Sequence, residues 1–153
     1  MGVEVGDFVP FFKAIDDNGQ LFHSSSIIGV TPVVIYFYPK NFTPGCIKEA
    51  CGFRDDYELF TSYGAEVIGI SSDKVRSHAR FKKRYKLPFV FLSDDKGELQ
   101  KLFGVHSELF GLLPGRETYV IDRKGTVRLK FNDRKASSHI KMALKTLKEI
   151  SEE

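Results

Sequence analysis

Three continuous apolar runs divide the chain, each flanked by polar or turn-forming residues. They are PVVIYFYP at residues 32–39, EVIGIS at 66–71 and FVFLSD at 89–94. The runs are rich in β-branched and aromatic side chains and alternate little with polar residues, which is typical of strands covered on both faces. We therefore predict three buried strands at the centre of the molecule.

Helical periodicity appears between and after these runs. The longest apolar stripe, with spacings of four and three, consists of Cys46, Ala50, Phe53, Tyr57 and Phe60. This stripe predicts a helix that Gly64 can end. Residues 77–87 predict a basic amphipathic helix, and residues 96–104 a shorter one. A closing helix is indicated by the spacing of Ile140, Ala143, Leu144 and Leu147.

Two turn signals predict hairpins, one near the N-terminus and one before the closing helix. Asn18-Gly19 separates short apolar stretches within residues 11–23, and this pair is the strongest short-range hairpin signal. Lys124-Gly125 divides residues 117–131 in the same way. The order of elements is that of an α/β protein with a mixed central sheet flanked by helices. It fits a thioredoxin-like fold with an N-terminal β-hairpin extension.

Length and charge limit the classes of protein to consider. The 153 residues are 42% hydrophobic and 13% aromatic, and we find no repeat or linker, so residues 1–153 are predicted to form a single domain. The 23 Lys and Arg residues exceed the 20 Asp and Glu residues by three and are scattered, which gives no case for nucleic acid binding. No apolar run reaches the length of a membrane span, and the first residues do not resemble a secretory signal. We therefore expect no membrane attachment and a cytoplasmic location.

Both cysteines of the chain lie in the segment TPGCIKEAC, residues 43–51. Thr43 and Pro44 match a helix N-cap followed by proline at the first helical position, which would put Cys46 at the third position. Amide groups without intrahelical partners and the positive end of the helix dipole lie there. Both stabilise a thiolate more than a thiol, and the Thr43 hydroxyl could accept from these amides while donating to a bound oxygen.

Cys51 follows five residues after Cys46. On an ideal helix the second residue is rotated by about 140° and raised by about 7.5 Å, so the two Cα atoms would be about 8.7 Å apart. Disulfides rarely exceed a Cα separation of ~6.8 Å. The spacing therefore suits two thiols that meet only after the helix locally unwinds.

Other interpretations of the two thiols remain open at this point. A cysteine at a helix start is often a small buried hydrophobic residue, and two nearby cysteines can be coincidental. A metal site would need two further ligands, but no paired spacing is found among His23, His78, His106 and His139. We expect no metal and no organic cofactor. A structural disulfide conflicts with the helix geometry and with a reducing compartment.

The residues around the cysteines resemble a known family. The segment FYPKNFTPGCIKEACGFRD is similar to the active-site segment of peroxiredoxins of the Q type, the bacterioferritin comigratory proteins, and Pro39, Thr43 and Cys46 match the pattern P-x-x-x-T-x-x-C. The similarity extends through residues 67–94 and 115–127 and begins near residue 5. It implies a thioredoxin-dependent hydroperoxide reductase on a thioredoxin-like fold, which reduces hydrogen peroxide and organic hydroperoxides.

The resemblance also implies a role for individual residues. Cys46 would attack the hydroperoxide and become a sulfenic acid, and Cys51 would resolve it to an intramolecular disulfide. A thioredoxin-like or glutaredoxin-like donor would reduce that disulfide. Pro39 would shield the site, Thr43 would hydrogen-bond the peroxide, and Arg116 would match the arginine that polarises the substrate and favours the thiolate.

Glu49 matches a frequent residue of the family that orients this arginine, although an exposed glutamate pairing with Lys48 or Arg54 is the alternative. No insertion supports the C-terminal extension of the typical two-cysteine subfamily, so a monomer or weak dimer is expected. Two other functions stay open. One is a peroxide-sensing binding protein whose oxidised helix recruits a partner, and the other is a disulfide reductase, which the C-x4-C spacing disfavours.

Overall fold

The computed structural model describes residues 2–108 and 113–153, and in these residues the chain forms nine strands and five α-helices. The strands are β1 (Lys13–Asp16), β2 (Leu21–His23), β3 (Val33–Phe37), β4 (Glu66–Ser71), β5 (Val90–Ser93), β6 (Ser107–Glu108), β7 (Leu113–Pro114), β8 (Glu117–Ile121) and β9 (Val127–Asn132). The helices are α1 (Pro44–Asp55), α2 (Tyr57–Ser62), α3 (Val75–Tyr85), α4 (Glu98–Phe103) and α5 (Ala136–Ser151).

Seven strands form one mixed sheet in the order β2-β1-β5-β4-β3-β8-β9. Strand β3 pairs in parallel with β4 and antiparallel with β8, and all five of its residues are buried. The three predicted buried strands therefore lie side by side as β3, β4 and β5. The predicted fold class, a mixed sheet flanked by helices, is confirmed.

Each face of the sheet carries its own hydrophobic core. Successive residues of β3 point to opposite faces, so that Val34 and Tyr36 pack under α1, α2, α3 and α5, whereas Ile35 and Phe37 pack with α4 and the N-terminal segment. The first of these cores includes Cys46. The cysteine-bearing helix is therefore packed directly onto the central strand.

Both predicted hairpins are present. Strands β1 and β2 pair antiparallel around Asn18-Gly19, and β8 and β9 pair around Lys124-Gly125. Gly19 has φ of 78° and Gly125 has φ of 89°. This left-handed backbone strongly favours glycine, which explains its position in both turns.

Two features differ from the sequence predictions. The single helix predicted from residue 46 to Gly64 is interrupted at Asp56, whose ψ of 12° departs from the helical value of about −42°, so that α1 ends and α2 begins. Phe53 and Phe60 are still buried on the same side, which is why the apolar stripe hid the break. The small ribbon of β6 and β7 was not predicted, because two-residue strands are too short to show a periodic pattern.

No helix in the described part of the chain has the length and apolar character needed to cross a membrane.

The packing of α1 on the sheet predicts the stability of a core variant. Phe53 is fully buried and stacks on Tyr36 with ring centroids 4.5 Å apart. Phe53→Ala should lower the free energy of unfolding by about 3–5 kcal/mol, because it removes buried apolar area and leaves a cavity. Urea unfolding measures this. Leu59→Ala, on the exposed side of α2, is the control and should stay within about 0.5 kcal/mol of the parent. Equal losses for both variants would contradict this packing.

Candidate active site

The loop between β3 and α1 is held by buried polar contacts. The backbone N–H of Asn41 donates to Asp73 Oδ2 at 2.9 Å, and its side-chain Nδ2 donates to Ser77 Oγ at 3.1 Å. The Tyr38 hydroxyl donates to Asn41 Oδ1 at 2.5 Å. Asn41 and Tyr38 are both buried. These bonds fix the start of α1 relative to the β4–α3 connection.

Phe42 occupies the left-handed region of the backbone, with φ of 67°. This conformation is uncommon for an aromatic residue and needs support from its surroundings. The Phe42 ring packs on Phe81 and Tyr85 of α3, with centroids 5.2 and 6.3 Å away. Contacts on α3 therefore hold the chain in the turn that leads into α1.

Helix α1 begins as the sequence predicts. Thr43 is the N-cap with extended backbone, Pro44 takes the first helical position, and Cys46 falls at the third. The expectation that the Thr43 hydroxyl accepts from the helix amides is wrong, because it makes no capping bond. It donates instead to the Lys40 carbonyl at 2.8 Å, which closes the preceding turn. Lone pairs of the Thr43 oxygen thus remain available to a donor.

The Cys46 side chain is 1% exposed and lies against a guanidinium. Arg116 Nη2 donates to Cys46 Sγ at 3.6 Å. Arg116 immediately precedes β8, whose first residue, Glu117, pairs with Phe37 at the end of β3. The sheet register therefore brings Arg116 to the same end of the sheet as the start of α1.

Gly45 makes room for this guanidinium. A Cβ atom at residue 45 would lie 2.9 Å from Arg116 Nη2, closer than Cβ atoms approach other heavy atoms. Only glycine therefore leaves the Arg116 side chain undisturbed beside Cys46.

Glu49 lies one turn after Cys46 and is fully buried. Its Oε1 accepts a hydrogen bond from Arg116 Nη1 at 2.5 Å, so the exposed pairing with Lys48 or Arg54 is excluded. Burial raises the pKa of Glu49 to about 8, although the charge of Arg116 acts in the opposite direction. Burial also disfavours the charged guanidinium, but Glu49 and Cys46 outweigh this effect and raise the pKa of Arg116.

A buried histidine that the sequence analysis treated only as a possible metal ligand completes the charged cluster. His139 Nδ1 lies 3.7 Å from Glu49 Oε2 and 2.7 Å from Thr118 Oγ1, and its Nε2 donates to the Asp133 carbonyl at 2.7 Å. Burial, together with the charge of Arg116, lowers the pKa of His139. The signal in the sequence was the position of His139 on the buried face of α5, next to Ile140.

Pro39 and Arg116 line a pocket of about 260 Å³ whose other lining residues are Asn132, Asp133 and Arg134. The pocket opens beside the guanidinium that contacts the Cys46 sulfur, so a small polar molecule in it could meet Arg116. Within residues 2–108 and 113–153, no group of three or more His, Cys, Asp and Glu side chains is placed to hold a metal ion.

Cys51 lies on another side of α1. Its thiol is half-buried and free, and it lines a groove of about 430 Å³ between α1 and α5. The groove is also lined by Lys48, Gly52, Asp55, Asp56, Ser137, Ile140 and Lys141. Cys46 is buried and also free. The structure therefore keeps the two thiols apart on one continuous helix.

The fold and the site together define a class of protein. A buried thiol lies at the start of a helix with a guanidinium at its sulfur, and the scaffold is a thioredoxin-like α/β sheet. These are the features of an enzyme that acts through a cysteine thiolate.

Comparisons with known proteins give the particular family. The sequence profile described as the AhpC/TSA family matches residues 5–130. Peroxiredoxin Q of the chloroplast from Suaeda salsa is 50% identical over 149 residues, which are 97% of this chain and 69% of that protein. The crystal structure of the peroxidoxin BcpB from Mycobacterium tuberculosis is 38% identical, with a TM-score of 0.88 over 95% of this chain and 97% of that one.

A further solved relative is the bacterioferritin comigratory protein of Xanthomonas campestris. It is 28% identical, with a TM-score of 0.84 over 92% of each chain. The chain therefore belongs to the AhpC/TSA family, among the peroxiredoxins of the Q type, and is a thiol peroxidase. The resemblance seen around the cysteines is confirmed.

Gly45 offers a test of the contact between Arg116 and Cys46. Gly45→Ala should slow alkylation of Cys46 at pH 7 by roughly 10-fold, because the new methyl group displaces the guanidinium from the Cys46 sulfur. Iodoacetamide labelling, followed by mass spectrometry of the Cys46 peptide, measures the rate. Gly52→Ala is the matched control on the same helix, since its methyl group would meet Ile140 instead. Unchanged labelling of Gly45→Ala would show that the contact does not govern the thiol.

Proposed function

We propose that Cys46 is the residue that reduces the peroxide, and the contact of its sulfur with Arg116 carries this proposal. The Cys46 thiolate attacks one oxygen of the hydroperoxide, the O–O bond breaks, and the leaving oxygen takes a proton to become water or an alcohol. The sulfur is oxidised to a sulfenic acid while the peroxide gains the two electrons. Hydrogen peroxide and organic hydroperoxides are both proposed substrates.

Arg116 and Thr43 are proposed to bind the peroxide beside the sulfur. The guanidinium supplies positive charge where negative charge develops on the leaving oxygen. The Thr43 hydroxyl already donates to Lys40, so it would accept a hydrogen bond from the hydroperoxide O–H. Pro39, half-buried at the wall of the pocket, would shield the site from water. Glu49 would hold Arg116 in place through its bond to Nη1.

Cys51 is proposed to resolve the sulfenic acid. Residues 46–51 would unwind after oxidation, since a helix holds the two Cα atoms about 8.7 Å apart. The Cys51 thiolate would then attack the Cys46 sulfur, water would leave, and an intramolecular disulfide would form. Its half-buried position at a groove between helices supports this role, because the thiol can leave the helix without crossing the core.

A thioredoxin-like or glutaredoxin-like dithiol is the proposed donor that reduces this disulfide. The X. campestris relative has alkyl peroxide reduction activity, which supports the proposal that organic hydroperoxides are substrates. We further propose that residues 1–153 act as one domain, as a monomer or weak dimer, without nucleic acid or membrane. The cytoplasm stays the predicted location of this chain, whereas the plant relatives are chloroplastic proteins.

The two cysteines can be separated by their reactions. Cys46→Ser should abolish peroxide turnover with a dithiol donor, because the reacting sulfur is lost. Cys51→Ser should react once with peroxide and stop at a Cys46 sulfenic acid, since no resolving thiol remains. Peroxide consumption with a thioredoxin-like protein as donor measures turnover, and intact-mass analysis identifies the product.

Each variant also has an outcome that would contradict the proposal. Near-normal turnover by Cys46→Ser would reassign the reacting residue, and continued turnover by Cys51→Ser with the same donor would remove its resolving role. If the wild-type protein formed the disulfide but no dithiol donor reduced it, the peroxide-sensing function would be favoured.

A further inference from the structure

Glu49 and His139 form a buried pair behind Arg116. One carboxyl oxygen, Oε1, accepts from Arg116, whereas the other, Oε2, is fully buried without a hydrogen-bond partner. The ring nitrogen His139 Nδ1 lies 3.7 Å from Oε2. A carboxylate oxygen and a bare ring nitrogen both present lone pairs, which repel each other at this distance. The short separation of Oε2 and Nδ1 therefore favours a state in which one of the two atoms carries a proton.

The partners of His139 show which ring nitrogen can gain or lose that proton. Nε2 faces the Asp133 carbonyl, which can only accept, so Nε2 carries a hydrogen in either state of the ring. Nδ1 faces the Thr118 hydroxyl at 2.7 Å, which can donate to a bare nitrogen or accept from a protonated one. Nδ1 is therefore the titrating atom, and it is the atom that faces Glu49.

The balance of charge in the cluster then depends on this proton. A Cys46 thiolate and a Glu49 carboxylate give two negative charges against the single positive charge of Arg116. All of these groups are buried or nearly so, and an uncompensated buried charge is costly. One proton shared by Glu49 and His139 makes the cluster neutral with the thiolate present.

We propose that His139 is a positioning residue which, together with Glu49, retains one proton at neutral pH and so leaves the charge of Arg116 available to the Cys46 thiolate. This inference rests on the proposed role of Arg116 beside Cys46. The proton belongs to the pair, since either Glu49 or His139 can carry it with the same net charge.

The other titratable groups near the pair are occupied elsewhere or neutral. Burial raises the pKa of Tyr36, on β3, well above its ordinary value, so its hydroxyl stays neutral. Glu117, on β8, accepts from Tyr119, Asn132 and the backbone of His106. The Asp133 side chain accepts from the Lys135 backbone. The remaining groups of the cluster are Cys46 and Arg116, which the charge count already includes.

The pH dependence follows from the direction of the shift. Burial raises the pKa of Glu49 to about 8, so Glu49 keeps its proton at pH 7 and loses it as the pH rises through that range. Above it, the Glu49 carboxylate competes with the thiolate for Arg116. The rate of Cys46 with peroxide should therefore fall on the alkaline side, with a midpoint near pH 8.

Nuclear magnetic resonance of the wild-type protein tests the pair directly. We expect one buried glutamate carboxyl, absent from the spectrum of Glu49→Gln, to titrate near pH 8. Carbon-13 shifts of the carboxyl and nitrogen-15 shifts of the ring report the two sites. An ionised Glu49 together with a neutral His139 at pH 7 would overturn the proposal.

A variant tests whether His139 holds the proton. His139→Asn places an amide donor towards Glu49 Oε2, which stabilises the carboxylate and should lower the midpoint by roughly one pH unit. At pH 8 the rate of Cys46 with peroxide should then fall roughly fivefold. His23→Asn, on the exposed side of β2, is the matched control and should keep the wild-type profile.

The outcomes distinguish this inference from the proposed function. A folded His139→Asn with the wild-type midpoint and rate profile would overturn the role of His139, while Cys46-dependent turnover would still stand. Should His139→Asn not fold, the wild-type titration alone decides the matter. If the wild-type protein showed no peroxide turnover, the proposed function would be contradicted. The titration of Glu49 and His139 would still be a valid result of its own.

Discussion

Helix α1 is continuous from Pro44 to Asp55, and the chemistry proposed for the site depends on that continuity. Cys46, Ala50 and Phe53 bury one side of the helix against the central strand. While α1 is intact, Cys46 lies at the positive end of the helix, and Cys51 is held too far away to bond with it. In the proposed mechanism, the folded helix therefore favours the reaction of Cys46 with peroxide, and local unfolding favours the formation of the disulfide.

The charged cluster adds a second constraint on the same helix. Arg116, which precedes β8, contacts Cys46 and Glu49, and His139 approaches Glu49 from α5. A buried arginine and carboxylate contribute little to stability by themselves, because desolvation offsets their attraction. The ion pair instead positions the guanidinium, because α1, β8 and α5 must pack correctly to bring it to the sulfur.

Local patterns in the sequence predicted much of this arrangement. Thr43-Pro44 marked the start of α1 because capping chemistry is local, and the continuous apolar runs marked the strands because burial on both faces removes alternation. The break at Asp56 escaped prediction, since the apolar stripe continues across it. The direction of the Thr43 hydroxyl depends on the turn at Lys40, which a residue pattern does not describe.

The contacts of the site were harder to predict, because they join residues far apart in the chain. Cys46 and Arg116 are separated by 70 residues, and only the family resemblance connected them. His139 meets Thr118 and Glu49 through packing of α5 on the sheet.

Amide hydrogen exchange of reduced and peroxide-oxidised protein tests the account most directly. Amides of residues 46–51 should lose protection on oxidation while β3 keeps it, whereas a disulfide-bonded protein with unchanged protection there would contradict the account.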